Sequence, residues 1–143
     1  METQAKSIDG IAYTDEEVIR FEEGVPGFEH LTRFLISSSE EHEPFHWMHS
    51  LDDPDLKFIL VNPMLIHQTY DPKITKSHVS DLNLKEESDI LMYVIVTMDQ
   101  LEFSKSTANL LGPIIVNIRT RQARQILLDD MRYSTKHPIL GGQ

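Results

Sequence analysis

The sequence predicts an all-β fold: a small antiparallel β-barrel-like single domain over residues 1–143, with one or two short helical turns. Three observations carry that expectation. Apolar, β-branched residues come in short runs, among them residues 57–61 (KFILV), 89–97 (DILMYVIVT) and 114–116 (IIV), a pattern that suits strands. Prolines at positions 26, 44, 54, 63, 72, 113 and 138 punctuate the chain, and short strands separated by turn signals read as a sandwich or barrel. No segment sustains a helical period. Runs that are apolar on both faces favour a barrel, whose closure also removes exposed sheet edges.

Taken in order, the first element is a hairpin. Asp9-Gly10 lies between Ile8 and Ile11 and is a favoured two-residue turn. Thr14 and Glu17 stand at the two positions of a capping box, which predicts one helical turn. Val18, Ile19 and Phe21 resume a strand. Residues 22–28 (EEGVPGF) form a loop stiffened by composition, two glycines around a proline, with Phe28 and Leu31 pinning it to the core. Residues 33–38 (RFLISS) read as a strand and residues 39–43 (SEEHE) as an acidic connector. In residues 44–50 the sequence alternates: Phe45, Trp47 and His49 share one face, with His46, Met48 and Ser50 on the other. Residues 51–55 (LDDPD) are a turn, residues 57–61 a buried strand, and Asn62-Pro63 ends it.

Residues 63–86 lack a clean period, with a short helix expected over 77–84, capped by Ser77. Residues 89–97 read as a central strand and residues 98–106 as a turn with a little strand. The stretch 107–117 (TANLLGPIIVN) enters through a polar turn at Thr107, Ala108 and Asn109, and Gly112-Pro113 then opens a strand. Proline can begin a strand but cannot sit inside one. Asn117 closes that run, and its amide must find partners or cost free energy. Residues 118–121 are a turn, and residues 123–128 (ARQILL) are the last clear strand.

Composition narrows the function classes. The chain has no cysteine, which removes disulfides, thiolate nucleophiles and cysteine-ligated metal sites. No apolar run approaches the ~20 residues of a bilayer span, and the opening METQAKSIDG lacks the core of a secretory signal. A cytoplasmic protein is expected. Thirteen basic residues stand against twenty-three acidic ones, a net charge of −10, which repels nucleic acid. The charge is uneven: residues 119–143 are net +3 and residues 1–118 net −13. An acidic body suits a basic protein partner through electrostatic steering.

Catalytic signatures are weak. His42, His46 and His49 have metal-ligand spacing for a helix, but Pro44 and the strand alternation put His46 and His49 on opposite faces. Asp52, Asp53 and Asp55 surround Pro54, and turn aspartates commonly cap their own backbone. No serine sits in a nucleophile elbow. Residues 24–27 (GVPG) contain a proline, which removes a donor that a phosphate-cradling loop needs. Arg119, Arg121, Arg124 and Arg132 read as a solvated rim, and Trp47 and Phe45 as core residues.

Four segments together resemble the FliW family of flagellar assembly factors: Pro26-Gly27-Phe28, residues 44–58 (PFHWMHSLDDPDLKF), residues 107–117, and residues 132–138 (RYSTKHP). The resemblance covers nearly the whole chain. It implies an adaptor rather than an enzyme, with no cofactor and no metal, monomeric alone, binding neither nucleic acid nor membrane directly. Its implied partners are flagellin in the cytoplasm and the translational repressor CsrA, antagonised non-competitively by allosteric or electrostatic exclusion of flagellin mRNA. Partner-binding positions implied by the family motifs are Glu23, Gly24, Pro26, Gly27, Trp47, Asp52, Asp53, Asn109, Leu110, Pro113, Asn117 and Tyr133. Two departures are Ala123-Arg124-Gln125, where Gly-Lys-Gln is frequent, and His49, where Gln is common and a surface contact would change. The alternative is a small-molecule-binding or hydrolytic barrel built on Asp52, Asp53 and the nearby histidines.

Overall fold

The computed structural model describes residues 6–140, so the two ends of the expected domain lie outside the described residues. The chain opens with β1 (Lys6–Ile8) and β2 (Ile11–Tyr13), a separate two-stranded sheet. Asp9 and Gly10 both take positive φ, 49° and 79°, as a type I′ hairpin turn demands. The Thr14 amide then donates to Glu17 Oε1 at 3.0 Å, and the Asp15–Glu17 turn forms as expected.

The remaining strands share one sheet. They are β3 (Ile19–Phe21), β4 (Arg33–Ser38), β5 (His46–Ser50), β6 (Lys57–Val61), β7 (Ile90–Thr97), β8 (Thr107–Ala108), β9 (Ile114–Asn117), β10 (Gln122–Gln125) and β11 (His137–Pro138). Seven of them close into a barrel in the order β7-β6-β5-β4-β3-β10-β9, because β9 returns to pair with β7. One edge of β7 meets β6. Its other edge is divided: Ile90–Tyr93 pair with β9, and Val96 and Thr97 pair with β8. The eight-residue run can serve three neighbours because it is the longest strand. All barrel pairs are antiparallel except β3–β10, which is parallel.

The barrel interior is apolar. Phe21, Phe34, Met48, Leu60, Ile114 and Val116 are buried there, and Phe21 meets Phe34 edge-on at 5.2 Å between centroids, a favourable ring geometry. The alternation of β5 holds: Met48 enters this core, while Trp47 stays half-buried on the outer face. β9 is buried on both faces because Ile115 points outward into a second cluster with Leu82, Leu84 and Ile126. A third cluster joins Val61, Tyr70, Val94, Ala108, Leu110 and Tyr133.

Several boundaries differ from the sequence reading, and residues 98–106 hold a 3-10 turn at Phe103–Lys105 but no strand. α1 spans Lys76–Asp81 and is capped by Thr75, whose Oγ1 accepts from the His78 amide at 3.2 Å, so Ser77 lies inside the first turn. β10 stops at Gln125. Ile126 and Leu128 still donate to the carbonyls of Pro113 (2.9 Å) and Leu111 (2.8 Å), but Pro113 has no N–H to return and the ladder cannot continue. Thr107 and Ala108 form β8 rather than a turn, and the tail supplies its partner β11. That two-residue pairing carries no period a sequence reading could detect.

Candidate functional site

The parallel pair creates a cleft. Antiparallel neighbours send their following segments to opposite rims of a barrel, but parallel strands send theirs to the same rim. Residues 22–29 after β3 and the end of β10 with residues 126–127 after it therefore lie side by side, with α1 across from them. Between them lies a cleft of about 580 Å³.

The loop wall is stiff for local reasons. Gly24 has φ +72°, and a Cβ there would stand 2.4 Å from the Glu29 carbonyl oxygen. The Gly24 amide donates to the Phe21 carbonyl at 2.9 Å, and Val25 is buried in the barrel core. Gly27, at φ +88°, donates its amide to Glu29 Oε1 at 3.2 Å. Only residues without a Cβ adopt these conformations without strain.

The cleft is amphiphilic. Glu22, Glu23, Glu29 and Asp81 line it, with Arg124 as its one cationic side chain. Arg124 reaches across: Nη1 lies 2.6 Å from Asp81 Oδ2 and Nη2 lies 3.3 Å from Glu23 Oε2. Glu22 Oε1 accepts from Gln122 Nε2 at 3.1 Å. Burial lowers the pKa of His78; Arg124 pushes it the same way and Asp81 opposes. Its Nδ1 accepts from the Thr75 amide at 3.1 Å, which also requires the neutral ring. Leu82, Ala123 and Ile126 supply apolar lining, and Leu127 stands 70% exposed beside them.

Of the expected positions, Glu23, Gly24 and Pro26 line this cleft, and Gly27 braces the same loop. The others do not come together with them. Trp47 lies on the outer wall with Lys57 Nζ 4.8 Å from its ring centroid. Asp52 Oδ2 accepts from the amides of Thr32 (3.0 Å) and Arg33 (3.1 Å), and Oδ1 pairs with the Arg33 guanidinium at 2.9 Å. Burial raises the Asp52 pKa, but those two amides and the guanidinium outweigh it and hold the carboxyl below its ordinary range. Asp52 thus clamps a neighbouring strand rather than capping its own turn. Asp53 does brace its own turn, accepting from the Asp55 amide at 3.2 Å.

Asn109 Oδ1 accepts from the Leu111 amide at 3.0 Å, and Pro113 and Leu110 are buried. The Leu110 carbonyl accepts from Tyr70 Oη at 2.6 Å, and Tyr133 Oη accepts from the Asp71 amide at 2.8 Å. The two tyrosine rings meet at 4.7 Å. Asn117, 0% exposed, donates through Nδ2 to the carbonyls of Leu82 (2.8 Å) and Asn83 (3.2 Å). Its Oδ1 accepts from the amides of Arg119 (2.9 Å) and Thr120 (3.2 Å). Every hydrogen-bonding position of that amide is occupied within the fold.

His49 is not a surface contact. It is buried, with Nδ1 3.1 Å from Asp9 Oδ2 and Nε2 2.9 Å from Ser37 Oγ, and so docks the β1–β2 hairpin onto the barrel. The cleft contains none of Asp52, Asp53, His42, His46 or His49. Among the described residues, no group of three or more His, Asp or Glu side chains is placed to hold a metal ion. No described helix is long and apolar enough to cross a membrane.

Among the cleft residues missed in the sequence are Glu22, Glu29, His78, Asp81 and Leu127, and Arg124 was visible only as part of a rim. Their one linear signal is charge: an acidic pair beside Gly24, and Arg124 as the last of three closely spaced arginines before residues 126–128. Nothing linear joins Asp81 to Glu23.

Comparison with known proteins agrees with this architecture. The model of the FliW protein family matches residues 2–139. A flagellar assembly factor FliW from Caldanaerobacter subterraneus subsp. tengcongensis is 40% identical over 141 residues, covering 98% of this chain and 93% of that protein. One from Alkaliphilus metalliredigens is 36% identical over 138 residues, covering 96% and 85%. A crystal structure of the flagellar assembly factor FliW superposes with a TM-score of 0.82 at 32% identity, covering 91% of this chain and 90% of the other. The barrel, the order of its segments and these matches make the chain a member of the FliW protein family.

Proposed function

We propose that the protein is a cytoplasmic flagellar assembly factor that works as a protein-binding adaptor rather than an enzyme. It binds flagellin and antagonises the translational repressor CsrA without competing for the RNA site. The observation that supports this reading is the acidic lining of the cleft, where four carboxylates outnumber one guanidinium on a chain of net charge −10. A repressor that binds RNA must present cationic surface. An acidic adaptor docked beside that surface attracts the repressor and repels the message, so one field serves both steps. The aspartates and histidines of the alternative barrel reading are engaged in structural contacts and share no cavity with the cleft.

The test uses purified protein, CsrA, flagellin and a flagellin leader RNA. Calorimetry is expected to show binding to each protein, with CsrA affinity falling as salt rises, since exposed charges are screened beyond about 10 Å at 0.1 M. Gel shifts are expected to show a lower maximum of RNA bound at saturating CsrA, with the RNA midpoint unchanged. No binding to either protein at low ionic strength would overturn the reading.

A further inference from the structure

We infer that the cleft between the 22–29 loop, α1 and the end of β10 is a docking site for a cationic, amphipathic segment of the RNA-binding partner, and that Arg124 is an internal occupant which that segment displaces. The inference rests on the adaptor reading above and names the surface through which it acts.

Charge complementarity selects the occupant. With His78 neutral, the cleft carries three more negative than positive side chains. Its volume of about 580 Å³ is that of a site for a few side chains rather than a whole helix. Leu127 is an exposed leucine in the same lining as the four acids, so the matching segment carries an apolar residue beside its cations. A segment without cationic side chains is the poorer match.

Arg124 already shows how a guanidinium sits there, bridging Glu23 on the loop and Asp81 on α1. Its side chain is 34% exposed and those of its partners are 73% and 49% exposed, and exposed pairs of this kind contribute little. A guanidinium or ammonium from outside can therefore replace Arg124 at small cost, releasing Arg124 to solvent. The loop wall does not have to form for this, because Gly24 locks it against Glu29. Arg124 then acts as a competitor within the chain that sets how tightly the segment is held.

This predicts effects of opposite sign on one surface. Arg124→Gln removes the competitor and is expected to tighten CsrA binding about three- to tenfold. Glu23→Gln combined with Asp81→Asn is expected to weaken it at least tenfold and to flatten its salt dependence. Both variants leave flagellin affinity within twofold. All affected side chains are exposed or half-buried, and urea midpoints matching wild type confirm folding. Weaker CsrA binding by Arg124→Gln, unchanged binding by the double variant, or a loss confined to flagellin would each overturn the inference while leaving the adaptor reading in place. Failure of the wild-type protein to bind either partner would remove both.

Discussion

Replacing Asn117 by alanine tests whether this amide serves the fold. It deletes four hydrogen bonds between β9 and two separate segments, residues 82–83 just after α1 and the 118–120 turn. The two bonds to Arg119 and Thr120 lie beside exposed residues where water can substitute, so they count for about 0.5 kcal/mol each. The buried Leu82 carbonyl loses its partner outright, at about 1–2 kcal/mol, and the truncated side chain leaves a small void. The total is about 3 kcal/mol. With a urea slope of about 1.5–2 kcal/mol/M for a chain of this size, the midpoint should fall by about 1.5–2 M. The single tryptophan, Trp47 on β5, supplies the fluorescence signal. Asn117→Asp refines the test. A carboxylate keeps the Arg119 and Thr120 amides but faces two carbonyls, so burial favours its protonated form. Its folded pKa then exceeds its unfolded one, and its deficit relative to wild type shrinks as pH falls from 7 to 5. An alanine variant within 0.5 M of wild type, or one folded normally yet unable to bind a partner, would refute the structural assignment.

Three further outcomes follow from the geometry. Gly24→Ala combines a left-handed backbone penalty of about 1–2 kcal/mol with a Cβ 2.4 Å from a carbonyl oxygen, so a loss of about 2–5 kcal/mol is expected; a thermal midpoint equal to wild type would contradict it. Tyr133→Phe leaves the Asp71 amide without its acceptor and should cost about 1–2 kcal/mol by urea titration, with partner affinity unchanged. Stability should also fall on mild acidification. Burial lowers the pKa of His46, opposed by Glu43, as it does for His78, so both bind fewer protons folded than unfolded. Their contribution is present above the usual histidine value and is lost as pH drops through about 6.5. A further loss below about pH 4 is expected from Asp52, held low by its amides, and from Asp89, held low first by the Lys85 amide. A urea midpoint flat from pH 7.5 to 5.5 would dismiss the histidine contribution, and His78→Gln should flatten part of the slope.

The closure of the barrel explains where the cleft lies. Six of its seven pairings are antiparallel and the seventh is parallel. Short connections can join antiparallel neighbours, so β4, β5 and β6 follow one another around the wall. The parallel seam joins strands from opposite ends of the chain, and two loops of unrelated sequence face each other there.

The sequence by itself determined the longer strands and most of their limits. Residues 33–38 and 57–61 carry β-branched and aromatic side chains between turn residues, and local sterics decide such segments. It also determined the Asp9-Gly10 turn, the Thr14–Glu17 box and the need for Asn117 to find partners, because each depends on residues within a few positions. Tertiary structure alone decided which partners Asn117 has, that His49 is buried under Asp9, that β3 lies parallel to β10, and that Glu23 and Asp81 share one arginine. Pairings between distant segments have no local period, since they are selected by the packing of the whole barrel rather than by the backbone preferences of any one stretch.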